Sequence, residues 1–138
     1  MDSAERFSAL AAERTDMAPR RRLGSLSLDA IGAGVVVLTL IGEFHHRETR
    51  DLERALGEAL SGDFGNVVVD MREVRLFGAP SLRALVKGAL RARERGVGFA
   101  LVRPDQDVWH AFELTGLDAQ LTHSASLEAA LAAITRAG

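Results

Sequence analysis

Apolar and polar positions change period several times along the chain. Leu26 and Leu28 alternate with Ser25, Ser27 and Asp29, the period-two pattern of a half-buried strand. Ile31-Gly32-Ala33-Gly34 is turn chemistry, and the β-branched run Val35 to Ile41 that follows predicts a hairpin. Leu52, Ala55, Leu56, Ala59 and Leu60 then recur at helical spacing with Arg and Glu between them. Gly62-Asp63-Phe64-Gly65 closes that helix. Val67-Val68-Val69-Asp70-Met71 reads as a strand buried on both faces, the mark of a central parallel position. A second helix places Leu82, Leu85, Val86, Ala89 and Leu90 on one face, with Gly96 as its C′ residue. Phe99 to Val102 is a short strand stopped by Pro104. Asp105 caps a third helix through Val108, Ala111, Phe112 and Thr115, which Gly116 ends. Leu121-Thr122 is an edge-strand candidate, and Ser126 caps a last helix carrying Leu127, Ala130, Leu131 and Ile134.

The predicted order is β-β-α-β-α-β-α-β-α. Only the first connection is short enough for a hairpin, and the strand–helix–strand crossovers demand right-handed parallel pairing. A single α/β domain follows, a mixed β-sheet covered by helices, with no internal repeat. Residues 1–23 stand apart. Ala4 to Arg14 puts Phe7, Leu10 and Ala11 on one side of a short helix, and Pro19 with Arg20, Arg21 and Arg22 breaks the pattern. The expected division is an extension over 1–23 and the domain over 24–138. The extension is either a loosely docked end or an arm that contacts a partner or a second copy.

Composition narrows the class of function. Apolar residues make up 47% of the 138 and charged residues 26%, the balance of a folded cytosolic domain with one core. A net charge of −2 provides no field for nucleic acid or anionic membrane. With no cysteine, disulfides, thiolate metal sites and cysteine nucleophiles are excluded. Val35 to Ile41 is far short of the roughly 20 apolar residues of a membrane span, and Met1 to Leu10 lacks the apolar core of a signal peptide. A cytoplasmic protein is expected.

Few residues point to chemistry. His45 and His46 lie beside Glu43 and Glu48, and such side chains can ligate metal. Adjacent residues point in different directions, however, and no third ligand sits at helical or strand spacing. A solvated helix start is the alternative, and no metal or cofactor is expected. His110 and His123 are isolated and read as surface residues. Ser81 has no base in sight, so nothing argues for catalysis. Trp109 falls at the border of the third helix's sheet-facing side. It either folds across its own domain or anchors a partner.

Three stretches carry a resemblance. Gly42-Glu43-Phe44-His45-His46 resembles the Gly-Glu-Leu-Asp of STAS domains, the family of bacterial anti-sigma-factor antagonists. Asp70-Met71-Arg72-Glu73-Val74-Arg75-Leu76-Phe77 resembles that family's Asp-Leu-Ser-Gly-Val-x-Phe-Ile. Phe112-Glu113-Leu114-Thr115-Gly116-Leu117-Asp118 is similar to its Leu-Glu-Leu-Thr-Gly-Leu-Asp. The stretches fall in order, and the resemblance covers roughly Ser25 to Ile134. The resemblance implies a STAS fold, and in that family the second helix opens with Asp-Ser-Ser-Gly or Asp-Ser-Thr-Gly. A hydroxyl there is phosphorylated by a kinase that doubles as the anti-sigma factor, and the phosphate breaks the complex.

This chain departs from that motif at each position. In register from Asp70, the Asp falls on Gly78, the hydroxyl positions on Ala79 and Pro80, and the Gly on Ser81. Neither Ala79 nor Pro80 can accept phosphate. The acidic residue after the second strand is replaced by His45. Ser81 is either a helix-start serine satisfying a backbone N–H or a displaced phosphoacceptor. The family's use of Asp70 implies that it accepts hydrogen bonds from the loop before the second helix.

The leading expectation is an anti-sigma-factor antagonist-like regulator without the usual switch. It would dock an anti-sigma factor of the ATPase-kinase type, or another regulatory protein, through Phe77, Gly78, Ala79, Pro80 and Ser81, with His45 and Trp109 beside them. The alternatives are a STAS subunit that binds an ABC-transporter ATPase or a scaffold of its own kind, a homodimer included, and a small-ligand or haem sensor.

Overall fold

The computed structural model describes residues 24–32, 34–61 and 65–137, without the side chains of residues 135–137. The expectations for residues 1–23, for Ala33 in the hairpin turn and for Gly62-Asp63-Phe64 lie outside that set. The elements are β1 (Ser25–Ala30), β2 (Val35–Phe44), α1 (His46–Ser61), β3 (Asn66–Phe77), α2 (Ala79–Arg95), β4 (Phe99–Val102), α3 (Gln106–Leu114), a 3-10 turn (Leu117–Ala119), β5 (Thr122–Ser124) and α4 (Leu127–Ala137). The five strands form one sheet in chain order. β1 and β2 pair antiparallel, as a hairpin must, and every later pair is parallel. The order and the mixed pairing are those that the sequence pattern predicts.

Alternation along the strands divides the core in two. Leu26, Leu28, Val36, Leu38, Leu40, Val67, Val69 and Met71 meet the inward stripes of α1, α2 and α3 on one face. Val35, Val37, Val68, Ala100 and Val102 meet Ala130 and Ile134 of α4 on the other. Val67 to Val69 of β3 are fully buried, because that strand lies between both layers.

Both long strands outrun their predicted ends. β3 continues through Arg72, Glu73 and Arg75 to Phe77, with Val74 and Phe77 buried three residues apart. The polar residues hide this extension from a period-two reading. Beyond Asp70 the strand leaves β4 and pairs with β2 alone, so its outer positions need not be apolar. The β2–β3 register shifts twice, between Thr39 and Ile41 and between Gly42 and Glu43. Gly42, at φ 95°, supplies the backbone that such an irregularity requires and that a side chain would resist.

Two helices differ from their predicted faces. On α2 the buried stripe runs through Ser81, Leu82, Ala84, Leu85, Gly88 and Ala92, whereas Leu90 is 51% exposed. Small residues face α1 because the helices pack closely: a Cβ on Gly88 would lie 3.3 Å from Leu56 Cδ1. On α3, Val108, Trp109 and Phe112 are buried, while Thr115 is exposed beyond the last turn. There its Oγ1 donates to the Ala111 carbonyl at 2.8 Å.

The helix ends carry their own partners. Asp105 Oδ1 accepts from the Val108 amide at 3.2 Å, and Ser126 Oγ accepts from the Ala129 amide at 3.1 Å, both as the sequence predicts. Gly96 ends α2 in the left-handed conformation, also as predicted. Arg95 donates to the Leu60 carbonyl and so satisfies the end of α1. β5 begins one residue later than expected, leaving Leu121 as a buried lead-in.

Candidate functional site

The candidate surface forms where β2 and β3 end together. Phe44 pairs with Phe77 across the last rung of that ladder. The Gly78 amide donates to the Phe44 carbonyl at 2.8 Å, and the Leu82 amide donates to the Gly78 carbonyl at 3.0 Å, opening α2. Gly78 is the N-cap of α2, with no side-chain cap, and Pro80 sits in the first turn, where a missing N–H costs nothing. A Cβ at position 78 would stand 3.3 Å from the Phe44 carbonyl oxygen. The two chain segments therefore approach more closely than a side chain there comfortably permits.

Only the middle of the expected contact segment faces outward. Ala79 is exposed and Gly78 and Pro80 are half-buried, whereas Phe77 is buried. The Phe77 ring lies 5.6 Å from that of Phe44 and stacks on Phe112 at 6.1 Å. Phe77 therefore anchors the loop from below and is not part of its surface. Phe112 stacks in turn on Trp109 at 4.6 Å, and Trp109 meets the edge of His123 at 4.7 Å. Trp109 is only 4% exposed and lies in the core, which favours packing within its own domain over the partner anchor. His123 is no isolated surface residue either. Its Nδ1 lies 2.8 Å from Arg103 NH1, and since arginine only donates, that ring nitrogen is the acceptor. His110 remains exposed on α3, 3.7 Å from Glu113 Oε1.

Ser81 is fully buried and caps no backbone amide. Its Oγ lies 2.8 Å from Thr49 Oγ1 on α1, and Thr49 Oγ1 donates to the His45 carbonyl at 3.2 Å. His45 is the residue before α1. Its amide donates to Glu48 Oε1 at 2.9 Å, the reach-back half of a capping box, and its ring Nε2 contacts Glu43 Oε1 at 2.9 Å. Glu48 and Thr49 are both buried. Sequence reading missed Thr49 because its partner is 32 residues away. The spacing of Glu48 three residues after His45 was the one local signal for this helix start. Among the described residues no group of three metal-ligating side chains comes together.

Asp70 does not support the α2 loop. Its Oδ1 accepts from the Arg72 amide at 3.1 Å and from Arg72 Nε at 3.0 Å, and its Oδ2 accepts from Arg72 NH2 at 2.7 Å. Burial pushes the Asp70 carboxyl up, but the hydrogen bonds and charge of Arg72 outweigh it and hold it below the usual carboxylate value. The expectation fails because β3 continues for seven residues past Asp70, which carries the loop away from it.

Two open grooves lie away from this surface. One, of about 140 Å³, runs between α1 and α2 past Glu53, Gly57, Lys87 and Arg91. The other, of about 200 Å³, lies where Val97, Phe99, Leu121 and Ile134 meet. Both are smaller than the roughly 300–1,000 Å³ of drug-sized ligand pockets.

A family model described as Mlab, STAS domain, matches residues 27–129. The chain belongs to the STAS family. A search of the curated proteins finds no match. Among solved structures, an anti-sigma factor antagonist from Mycobacterium paratuberculosis is similar, with a TM-score of 0.72 and 24% identity over 83% of this chain and 96% of that one. A structure described as a putative anti-sigma factor antagonist from Thermotoga maritima has a TM-score of 0.71 and 19% identity over 80% of this chain and 94% of its own. The phosphorylated form of the Bacillus cell fate determinant SpoIIAA has a TM-score of 0.62 and 15% identity, covering 76% and 96%. At these identities the likeness is one of fold. Among the described residues of this STAS domain, no helix is long and apolar enough to cross a membrane.

Proposed function

We propose that this STAS domain is a docking module, an antagonist-like regulator that binds an anti-sigma factor of the ATPase-kinase type through Gly78, Ala79 and Pro80, and that it does so without a phosphorylation switch. One observation carries the reading. At the start of α2 the exposed residue is an alanine, the next is a proline, and the nearest hydroxyl, Ser81, is fully buried. A small, uncharged and proline-stiffened turn permits close backbone approach and loses little entropy on binding. His45, exposed beside Glu43, flanks it. The reading is one of binding, with Ser81 engaged by Thr49 and Asp70 by Arg72.

The test is capture of the partner from lysate of the native host, followed by incubation of the complex with Mg-ATP and intact-mass measurement. The expected result is a captured histidine-kinase-like ATPase and no added phosphate on this chain. Stoichiometric phosphate on Ser81 would contradict the unswitched reading. The matching family's description, Mlab, names neither an anti-sigma factor nor a kinase. That favours keeping a second reading, a STAS subunit bound to an ABC-transporter ATPase, which capture of such an ATPase would establish.

A further inference from the structure

We infer that Thr49 is a positioning residue of the docking surface: the Ser81–Thr49–His45 relay clamps the start of α2 to the start of α1. The inference deepens the docking reading above and rests on it for its functional meaning.

Thr49 has one hydroxyl proton, and it goes to the His45 carbonyl. Ser81 therefore supplies the proton of the 2.8 Å bond to Thr49 Oγ1. The chain of donors runs from α2, through α1, to His45, the residue between β2 and α1. Each hydroxyl is buried, Ser81 fully and Thr49 at 7% exposure, so water cannot replace a lost partner. A buried polar group without its partner is costly, and that cost holds both hydroxyls in place. The two residues joined are neighbours of the surface itself. Ser81 follows Gly78-Ala79-Pro80 directly, and His45 is the flanking side chain on the other segment. The backbone bond from Gly78 to Phe44 is a second tie between the same two segments. The relay therefore fixes the loop against His45 in one arrangement, and it occupies the only hydroxyl of the turn.

The test uses the free protein and amide hydrogen exchange. The reporters are the amides of His45, Gly78 and Leu82, whose acceptors lie within the clamped region. In Thr49→Val and in Ser81→Ala these amides should exchange about tenfold faster, the size expected for one buried hydrogen bond. The double variant should show no further increase, because both single changes break one relay. Thr49→Ser, which keeps the hydroxyl, should exchange as the wild type does. Amides of Val67, Val68 and Val69 in the central ladder should not change. Unchanged exchange at the three reporters overturns the clamp, as does equal acceleration throughout the sheet or an additive double variant. Should Thr49→Val not fold, Ser81→Ala tests the same bond from its other end.

The two readings fail separately. Loss of partner capture by Ala79→Asp with unchanged exchange in Thr49→Val removes the clamp and leaves the docking surface. Full capture by Ala79→Asp with faster exchange in Thr49→Val removes the docking surface and leaves the clamp as a property of the free domain.

Discussion

Position 79 presents a methyl group at the first turn of a helix, and position 81 hides a hydroxyl beneath it. The same added charge should therefore act differently at the two places. Ala79→Asp puts a carboxylate in solvent near a helix N-terminus, where it is favourable by about 0.3–1 kcal/mol. Ser81→Asp puts one into a fully buried site beside Thr49, where an unpaired charge costs on the order of 3–5 kcal/mol. Thermal melts should show Ala79→Asp at or slightly above the wild type and Ser81→Asp many degrees lower. Equal melting of the two variants would contradict the burial of Ser81. Asp70 gives a pH signature. Its carboxyl is held low in the folded state, so its contribution is complete above the ordinary carboxylate pKa of about 3.9 and is lost as pH falls through the lowered folded value. Arg72 is half exposed, so the pair is worth under about 1 kcal/mol. Urea titrations should separate Asp70→Asn from the wild type by that amount at pH 7, with the gap closing toward pH 3. A constant gap would assign the loss to packing.

At the scale of elements, α2 shows what hydrophobicity alone conceals. The pattern predicts Leu90 as core, whereas Gly88 and Ala92 take the inward places and Leu90 faces out. Leu90→Gln should change stability by no more than about 0.5 kcal/mol, and Leu85→Ala, at a fully buried site, should cost about 2–5 kcal/mol. Comparable losses in urea unfolding would restore the predicted face. The strand order, the parallel centre and the caps at Asp105 and Ser126 were legible because each depends on residues close in sequence. The rest depended on distant partners. The outer half of β3 is polar because only β2 pairs with it there, Trp109 is buried because Phe112 and His123 receive it, and Ser81 turns inward because Thr49 meets it. The absence of a hydroxyl at positions 79 and 80 was legible directly from Ala79 and Pro80; the burial of Phe77 and Ser81, which narrows the candidate surface, was not.

For the whole molecule, the parallel strands β2 and β3 end at the same edge of the sheet, and the candidate surface lies just outside those carboxyl ends. Open α/β sheets place their binding sites at such edges. The grooves between α1 and α2 and beside Phe99 lie elsewhere. If the proposed docking surface is used, a change at the exposed position 79 should alter recognition without loosening the core. Calorimetric titration of the captured partner with wild-type and Ala79→Asp protein tests this most directly. An unpaired charge buried at an interface costs several kcal/mol, so the variant should bind at least about a hundredfold more weakly, with a melt at or slightly above that of the wild type. Equal affinity in a folded Ala79→Asp protein would contradict it.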